Sequence, residues 1–475
     1  MSQAQQVQQI QIHSKQNHND VNSNQTTNKT YHQENNNVVR IDIQSYQNAE
    51  NDGLLNQTNP IQTIVINQEE QQINKEINSI NIKDQLLSGS DEEEKQKEML
   101  MFQKPGTIDK GYVLYSDKLM EHLIADQEIQ KDLINQFKFE RETIWCFENE
   151  KNQSITQLEQ LKVLCITWNM HGSMPQLCTN KLLRSDKIEH HVIVVSSQEC
   201  LRSIPMSIFC ESKQKWEAHL SNVLGNKYEL VKSVSMNALH LGVFMVKDLV
   251  KYATAISIDQ KATGVMNLFG NKGGVAISMD IGDKSYLFIN SHFSSGQNNN
   301  ERRNQDYQVI SQSLNLPKYC QNPNESLFKR FHYIFWMGDF NYRIDAKNKE
   351  EVDELIKSNK YFDLLKRDQL MAQKKIGQVF SDFQEGLILF PPSYRVLDEQ
   401  NKFTDGSDAR IPGWTDRILF KQKIPDTIKL LNYESALDVF GSDHRPVFAQ
   451  FLVKAKFTET FQPVIVRGSA ACNIF

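Results

Sequence analysis

The chain has 475 residues, room for one large or two medium domains with a sizeable core. Its 53 Lys+Arg against 58 Asp+Glu give a pI near 6.2, without the basic surplus of a protein that lives on nucleic-acid backbone, so a polyanionic ligand has to be gripped by a local basic pocket. Seven scattered cysteines (Cys146, Cys165, Cys178, Cys200, Cys210, Cys320, Cys472) with no CxxC pair argue for a reducing compartment and against a zinc module, while the polar N-terminus and the lack of any run of transmembrane length predict a soluble or anchored chain without a secretory signal.

Residues 1–100 are dominated by Gln and Asn, with sparse Ile and Val and almost no aromatics. Such a stretch buries too little apolar area to offset its conformational entropy, so it is expected to be disordered. Its acidic end, Ser90 to Glu94, reads as a solvated linker. Residues 101–158 form a helical preface or linker, because Leu119, His122, Leu123 and Ile129 recur at helical spacing within Tyr115 to Glu140.

From about Leu161 short β-rich runs recur: Val163–Ile166, Val192–Val195, Gly242–Val246, Val275–Ile277, Tyr286–Ile289 and Tyr333–Trp336. Helix-like segments lie between them, notably Glu351 to Gln373. Many short strands with several helices predict an α/β sandwich over 159–455, two β-sheets packed face to face with helices outside. Polar residues gather where the runs stop: Thr167-Trp168-Asn169, Ser197-Gln198-Glu199, Asn290-Ser291-His292 and Gly338-Asp339-Phe340-Asn341. Polar groups collected at one rim of two sheets make a site.

Hydrolysis of a phosphate ester needs a cation to neutralise developing charge, an in-line water and stabilisation of the leaving oxygen. Mg²⁺ takes oxygen ligands, usually only one or two of them from protein. Asn169 and Glu199 each follow a β-run and offer an amide oxygen and a carboxylate, although alone they read as a turn residue and a surface carboxylate. Asp339 and Asn341 alternate after an aromatic strand and so share one face; the bland alternative is a strand-to-turn cap. His444 stands beside Asp443 ahead of an apolar strand, and Asp416 precedes another. A carboxylate that fixes the tautomer of a His is a common way to hold an imidazole for proton work or phosphate contact.

Taken together these motifs resemble the inositol-polyphosphate 5-phosphatases of the endonuclease/exonuclease/phosphatase superfamily, from about Leu161 to Leu452. The resemblance also rests on Gly270–Val275, Glu301–Tyr307, the Gly338–Arg343 run, Arg410 to Leu419 and Ser442 to Val447. It implies a four-layer α/β sandwich with two mainly antiparallel sheets, and a Mg²⁺-dependent phosphatase acting at the 5-position. By the same resemblance Asn169 and Glu199 serve the Mg²⁺, Asp339 activates water, Asn341 holds phosphoryl oxygens and His444, oriented by Asp416, contacts the scissile phosphate. Asp443 is implied near metal and nucleophile, His292 as a second phosphate contact, and Lys272, Tyr394, Arg395 and Arg410 as the grip on neighbouring ring phosphates, a task suited to charge-assisted hydrogen bonds. Two departures stand out: His292 is followed by Phe293-Ser294-Ser295-Gly296 where many members have a second His, and Asp408 stands where many have Lys, which weakens the expected grip on a 4-phosphate. Neither touches the implied catalytic set, so an active enzyme is expected. Trp168 to Gly172, His292 to Gly296, Asp368 to Leu370 and Phe380 to Glu385 resemble the type IV, cilium-associated group, whereas Gly270–Val275 and Glu301–Tyr307 resemble the type II group.

The tail, 456–475, ends Cys472-Asn473-Ile474-Phe475, which fits a prenylation box with Phe favouring geranylgeranyl. One prenyl chain anchors reversibly. The expected location is therefore cytoplasmic and peripheral to a membrane, ciliary or endomembrane, where a phosphoinositide such as PtdIns(4,5)P₂ or PtdIns(3,4,5)P₃ is the substrate. The apolar run Val265–Phe269 reads equally as a lipid-dipping loop or a buried segment. The competing readings are a nuclease of the same superfamily, a non-catalytic phosphoinositide scaffold and an enzyme for soluble inositol phosphates.

Overall fold

Alternation along the apolar runs sorts the core into layers. In this computed structural model residues 29–34, 38–43, 114, 154–173, 179–183, 189–200, 211–264, 272–316, 325–397, 399–406 and 409–458 are described, the first two spans by backbone alone. Ser90–Glu94, the 115–140 segment, Val265–Phe269, Asp408 and Cys472 lie outside them. The chain divides into two compact units, Met1–Glu98 and Met99–Phe475. In the first, strands β1 (Lys29–Glu34) and β2 (Val38–Ile43) pair antiparallel. The Gln/Asn-rich composition of residues 1–100 predicts no regular element; Val38, Val39, Ile41 and Ile43 form a short β-prone run within this otherwise polar stretch.

The second unit begins its regular structure with β3 (Gln160–Asn169), α1 (Thr179–Leu183), β4 (Val192–Gln198), α2 (Glu211–Leu224), β5 (Tyr228–Met236), β6 (Leu239–Val246) and α3 (Lys247–Val250). It continues with β7 (Ala253–Ala262), β8 (Gly273–Ile281), β9 (Lys284–His292), α4 (Asn300–Ser313) and β10 (Tyr333–Asp339). Then come α5 (Lys349–Lys357), α6 (Tyr361–Leu365), α7 (Gln369–Lys375), β11 (Gln384–Glu385), β12 (Asp416–Gln422), β13 (Ile428–Ser435) and β14 (Val447–Lys454). The helix-like stretch Glu351 to Gln373 is thus three short helices. Asn359, at φ 53°, ends the first run, and Asp368 caps α7 by accepting from Met371 N at 2.9 Å.

Twelve of these strands make two six-stranded sheets, ordered β13-β14-β3-β4-β6-β5 and β11-β12-β10-β9-β8-β7. Each is antiparallel except for one central pair, β3 with β4 and β9 with β10. Odd positions of β3 (Val163, Cys165) and even positions of β4 (Val192, Val194) share one core with Val275, Ile277, Tyr286, Phe288, Tyr333 and Phe335 of the other sheet. The alternate set, Leu164, Ile166, Ile193 and Val195, packs outward with Leu182 of α1 and Trp216 and Leu220 of α2. Leu287, Ile289, Ile334 and Trp336 pack outward with Ile310 of α4. Strands buried on both faces explain why the sequence shows continuous apolar runs instead of alternation. The result is the four-layer, mainly antiparallel sandwich that the motifs implied. Leu114, within the expected preface, bridges to Gly386 and packs on the core between the sheets.

One buried ion cluster joins the last strands to the helices. Arg417 on β12 donates to both Asp368 oxygens at 3.0 Å and, through Nε and Nη2, to Glu385 at 2.7 and 2.8 Å. All three side chains are buried, and Tyr433 also donates to Glu385 at 2.9 Å. With every donor directed, the cluster fixes β11, β12 and the N-terminus of α7 in one arrangement. Removing one partner from such a set costs about 3–5 kcal/mol, because the other charges stay buried.

Candidate active site

Central parallel pairs place the C-terminal ends of neighbouring strands on one rim. β3 ends at Asn169 and β4 at Gln198, followed by Glu199; β9 ends at His292 and β10 at Asp339. The flanking antiparallel strands start at that rim, β12 with Asp416 and β14 just after His444. Register does the rest: Asp339 is paired with His292 on one side and with Asp416 on the other. Gly338 permits this row, because at φ 156° a Cβ there would lie 2.0 Å from the Ser291 carbonyl on the parallel neighbour.

These ends open into a cleft of about 260 Å³. Asn169, Glu199, Lys272, His292, Asp339, Asn341, Tyr394, Arg395, Arg410, Asp443 and His444 all line it. Asp416 is behind the wall, fully buried, and reaches the cleft through His444. Cys472, the expected lipidation site, lies outside the described residues. The structure adds His171, Ser295 and Arg343, which had no role on sequence grounds. His171, Glu199 and Asn341 have φ of 48°, 48° and 57°, a left-handed turn that costs non-glycine residues up to a few kcal/mol each and is retained where it aims a side chain.

Asp339 is the hub. Its Oδ1 accepts from Asn341 N at 3.0 Å, and its Oδ2 accepts from Asn169 Nδ2 at 3.0 Å and lies 3.2 Å from His292 Nε2. Burial would raise its pKa, but His292, His444 and Lys272 outweigh that and hold the carboxyl below the usual range. His292 is neutral-favouring, its pKa lowered by burial and then by Lys272, whose ammonium contacts Nε2. Burial also lowers the pKa of Lys272.

His444 behaves oppositely. Its Nδ1 is 2.8 Å from Asp416 Oδ2, which also accepts from Ser393 at 2.7 Å and Thr415 at 2.9 Å. Burial lowers its pKa, yet Asp416, Asp339 and Asp443 overcome this and raise it to about 9. The ring is therefore an imidazolium at neutral pH, and with Nδ1 engaged its Nε2 is the nitrogen left for a ligand. Tyr394 packs on it at 4.5 Å between ring centroids, and the Arg343 guanidinium lies 4.6 Å from the Tyr394 ring centroid. Arg395 Nε donates to Asp443 Oδ2 at 3.0 Å. Asn341 donates from Nδ2 to the Phe293 carbonyl at 3.1 Å and accepts from Arg343 at Oδ1, so one amide hydrogen remains for a ligand.

A hard divalent cation fits the opposite wall. Glu199 and Asn169 present oxygens there, and Asp443 Oδ1 is buried with no hydrogen-bond partner. His171 Nδ1 stands between the carboxylates, 3.3 Å from Asp443 Oδ1 and 4.0 Å from Glu199 Oε2. Oxygen donors with room for water suit Mg²⁺ or Ca²⁺. The ligand atoms of Asp339, Asp416 and His444 also lie within 4.8 Å of one another, but there the 2.8 Å Nδ1–Oδ2 contact is a proton-bearing hydrogen bond.

The α4 motif, Glu301 to Tyr307, supports the loops of the cleft from below. Arg303 donates to the Gly296 carbonyl at 2.7 Å and to Gln369 Oε1 at 2.7 Å, Asn304 accepts from Tyr342 OH at 2.6 Å, and Asp306 accepts from Ser294 N at 2.7 Å.

Residues 166–450 match the endonuclease/exonuclease/phosphatase family 2. The chain is similar to the phosphatidylinositol polyphosphate 5-phosphatase type IV of Mus musculus, 31% identical over 308 residues, covering 61% of this chain and 45% of that protein. It is 29% identical over 306 residues to the type II inositol 1,4,5-trisphosphate 5-phosphatase of Mus musculus, covering 64% and 30%. Each match spans less than half of these relatives' length. Among solved structures it resembles the inositol polyphosphate 5-phosphatase domain of SPsynaptojanin in complex with inositol (1,4)-bisphosphate and calcium ion, with TM-score 0.56 and 29% identity, covering 63% of this chain and 86% of that one.

The raised His444 pKa has a checkable sign. Against an unfolded value near 6.5, a folded value of about 9 stabilises the fold fully below about pH 6.5, and that contribution is lost as pH rises through 9. NMR titration of the His444 ring is expected to find it charged at pH 7.5, and Asp416→Asn to lower its pKa by about 1–3 units. An unchanged midpoint in the variant would contradict the assignment of Asp416 as the partner.

Proposed function

Because the chain belongs to the endonuclease/exonuclease/phosphatase family 2, we propose that it is a Mg²⁺-dependent phosphatase that removes the 5-phosphate from inositol polyphosphates and phosphoinositides. One observation supports this above the others. A single cleft combines an oxygen-donor wall, a carboxylate-paired imidazolium and the cations Lys272, Arg343, Arg395 and Arg410. The inositol bisphosphate named for the SPsynaptojanin complex keeps phosphates at positions 1 and 4, which is what loss of a 5-phosphate leaves from the trisphosphate.

When bound at Glu199 and Asn169, Mg²⁺ supplies charge neutralisation for the phosphoryl group. The chain's own groups do the remainder. Lys272, Arg395 and Arg410, with Tyr394, grip the neighbouring ring phosphates and orient the ester. Asp339, kept ionised by its three basic neighbours, holds and polarises the attacking water. The free amide hydrogen of Asn341 and the ring of His292 bind phosphoryl oxygens. His444, charged at neutral pH, contacts the scissile phosphate and offsets negative charge as it develops. Asp416 maintains that charge and the ring's orientation.

Phosphate release with Mg²⁺ from a panel of lipid and soluble inositol substrates tests the reading, with wild type beside Asp339→Ala. Wild type is expected to release phosphate from lipids, and the variant to be slower by about 10²–10⁴-fold. Equal release by both proteins would remove the catalytic assignment, and activity confined to soluble substrates would remove the lipid one.

We further propose that Cys472 carries a geranylgeranyl group that holds the enzyme reversibly on a cytoplasmic membrane face. Mass spectrometry of protein from its native host is expected to show a prenylated C-terminal Cys472; an intact, unmodified end would contradict it.

A further inference from the structure

One layer beneath the cleft floor the inner faces of the two sheets stop being apolar. Inner positions run Tyr286, Phe288, Asn290, His292 along β9 and Val192, Val194, Ser196, Gln198 along β4. Asn290 and Gln198 are both 0% exposed. The Asn290 amide reaches across the gap between the sheets. Its Nδ2 donates to the Ser197 carbonyl at 3.0 Å and to the His240 carbonyl at 2.8 Å, and its Oδ1 accepts from Gln198 Nε2 at 2.7 Å. Gln198 Nε2 also approaches Thr167 Oγ1 on β3 at 3.1 Å and Ser196 Oγ at 2.9 Å. Every bond of the Asn290 side chain therefore ends on the opposite sheet.

Packing does not ask for amides here. A hydrophobic pair of similar volume would fill the same space without the desolvation of two polar groups. What the amides add is direction, since bonds of fixed length and angle hold the end of β4 against β9. The residues at stake are immediate neighbours. Glu199 follows Gln198, Asn169 is paired with Gln198 in register, and His292 is two positions beyond Asn290 with Asp339 beside it. We propose that Asn290 is a positioning residue that, through Gln198 and Ser197, sets the separation between the Asn169–Glu199 wall and the His292–Asp339 wall of the cleft. This rests on the phosphatase reading above and concerns how the two halves of that site are kept at working distance.

The test compares Asn290→Leu with the double variant Asn290→Leu/Gln198→Leu, in the full chain. Three quantities are read: thermal midpoint, affinity for Mn²⁺ by paramagnetic resonance titration, and kcat and KM on a soluble inositol trisphosphate with Mg²⁺. The single variant takes a donor from the Ser197 and His240 carbonyls and an acceptor from Gln198 Nε2, so its midpoint falls, and kcat and Mn²⁺ affinity each fall about 10–100-fold. KM changes little, because Lys272, Arg395 and Arg410 are untouched. In the double variant the Gln198 amide that lost its acceptor is gone as well and the midpoint recovers part of its loss, while kcat and Mn²⁺ affinity stay low. Recovery of kcat together with the midpoint would show a merely structural role and overturn the proposal, as would wild-type kcat in the single variant. Should Asn290→Leu not fold, Gln198→Met removes only the bonds of the Gln198 amide; low Mn²⁺ affinity at an unchanged midpoint supports the proposal, and unchanged affinity overturns it. If wild type itself releases no phosphate, the phosphatase reading fails, and Mn²⁺ affinity in the same variants still decides the positioning claim.

Discussion

Everything at the rim depends on one constraint, the single parallel pair at the centre of each sheet. An antiparallel neighbour would send alternate strand ends to opposite rims. With β3 beside β4 and β9 beside β10 in parallel, Asn169, Gln198-Glu199, His292 and Asp339 arrive at the same edge, and the antiparallel β12 and β14 begin there with Asp416 and the residues around His444. Two such sheets packed face to face bring the rims together. The site is thus assembled from the sheet hydrogen bonds themselves, and no loop has to carry it alone.

Electrostatics explains why this arrangement holds different charges so close. Asp339, Asp416, Asp443 and Glu199 gather around one cleft, a concentration of negative charge that would oppose folding if it were unmatched. His444 is drawn to its charged form by three of them, Lys272 stands against His292, and Arg395 is tied to Asp443. The two histidines consequently differ. His292, beside a lysine, favours the neutral ring, whereas His444, beside carboxylates, favours the cation. A site of this kind offers fixed positive charge to an incoming phosphate on one wall and oxygen ligands to a cation on the other.

Much of this was legible in the sequence for a physical reason. Strands buried on both faces must be apolar throughout, and the point where apolar residues give way to Asn, Glu, His or Asp marks the rim. The edge strands β5 and β7 were missed because they are half exposed, and sequences such as Tyr228–Met236 mix charged and apolar residues without clear alternation. The stretch after Glu351 looked like one helix because the left-handed Asn359 does not interrupt apolar spacing. His171 gave only a weak signal, its place two residues after Asn169. Asn290 and Gln198 looked like rim residues, because partners 92 positions apart are not visible along a chain.

The central claim is that this cleft recognises a ring phosphate pattern and removes one particular monoester. The most direct measurement is the identity of the product. Inositol 1,4,5-trisphosphate would be incubated with the full chain and Mg²⁺, and the product assigned by phosphorus NMR. The account predicts inositol 1,4-bisphosphate and free phosphate; loss of the 1- or 4-phosphate, or hydrolysis of a phosphodiester in place of this monoester, would contradict it.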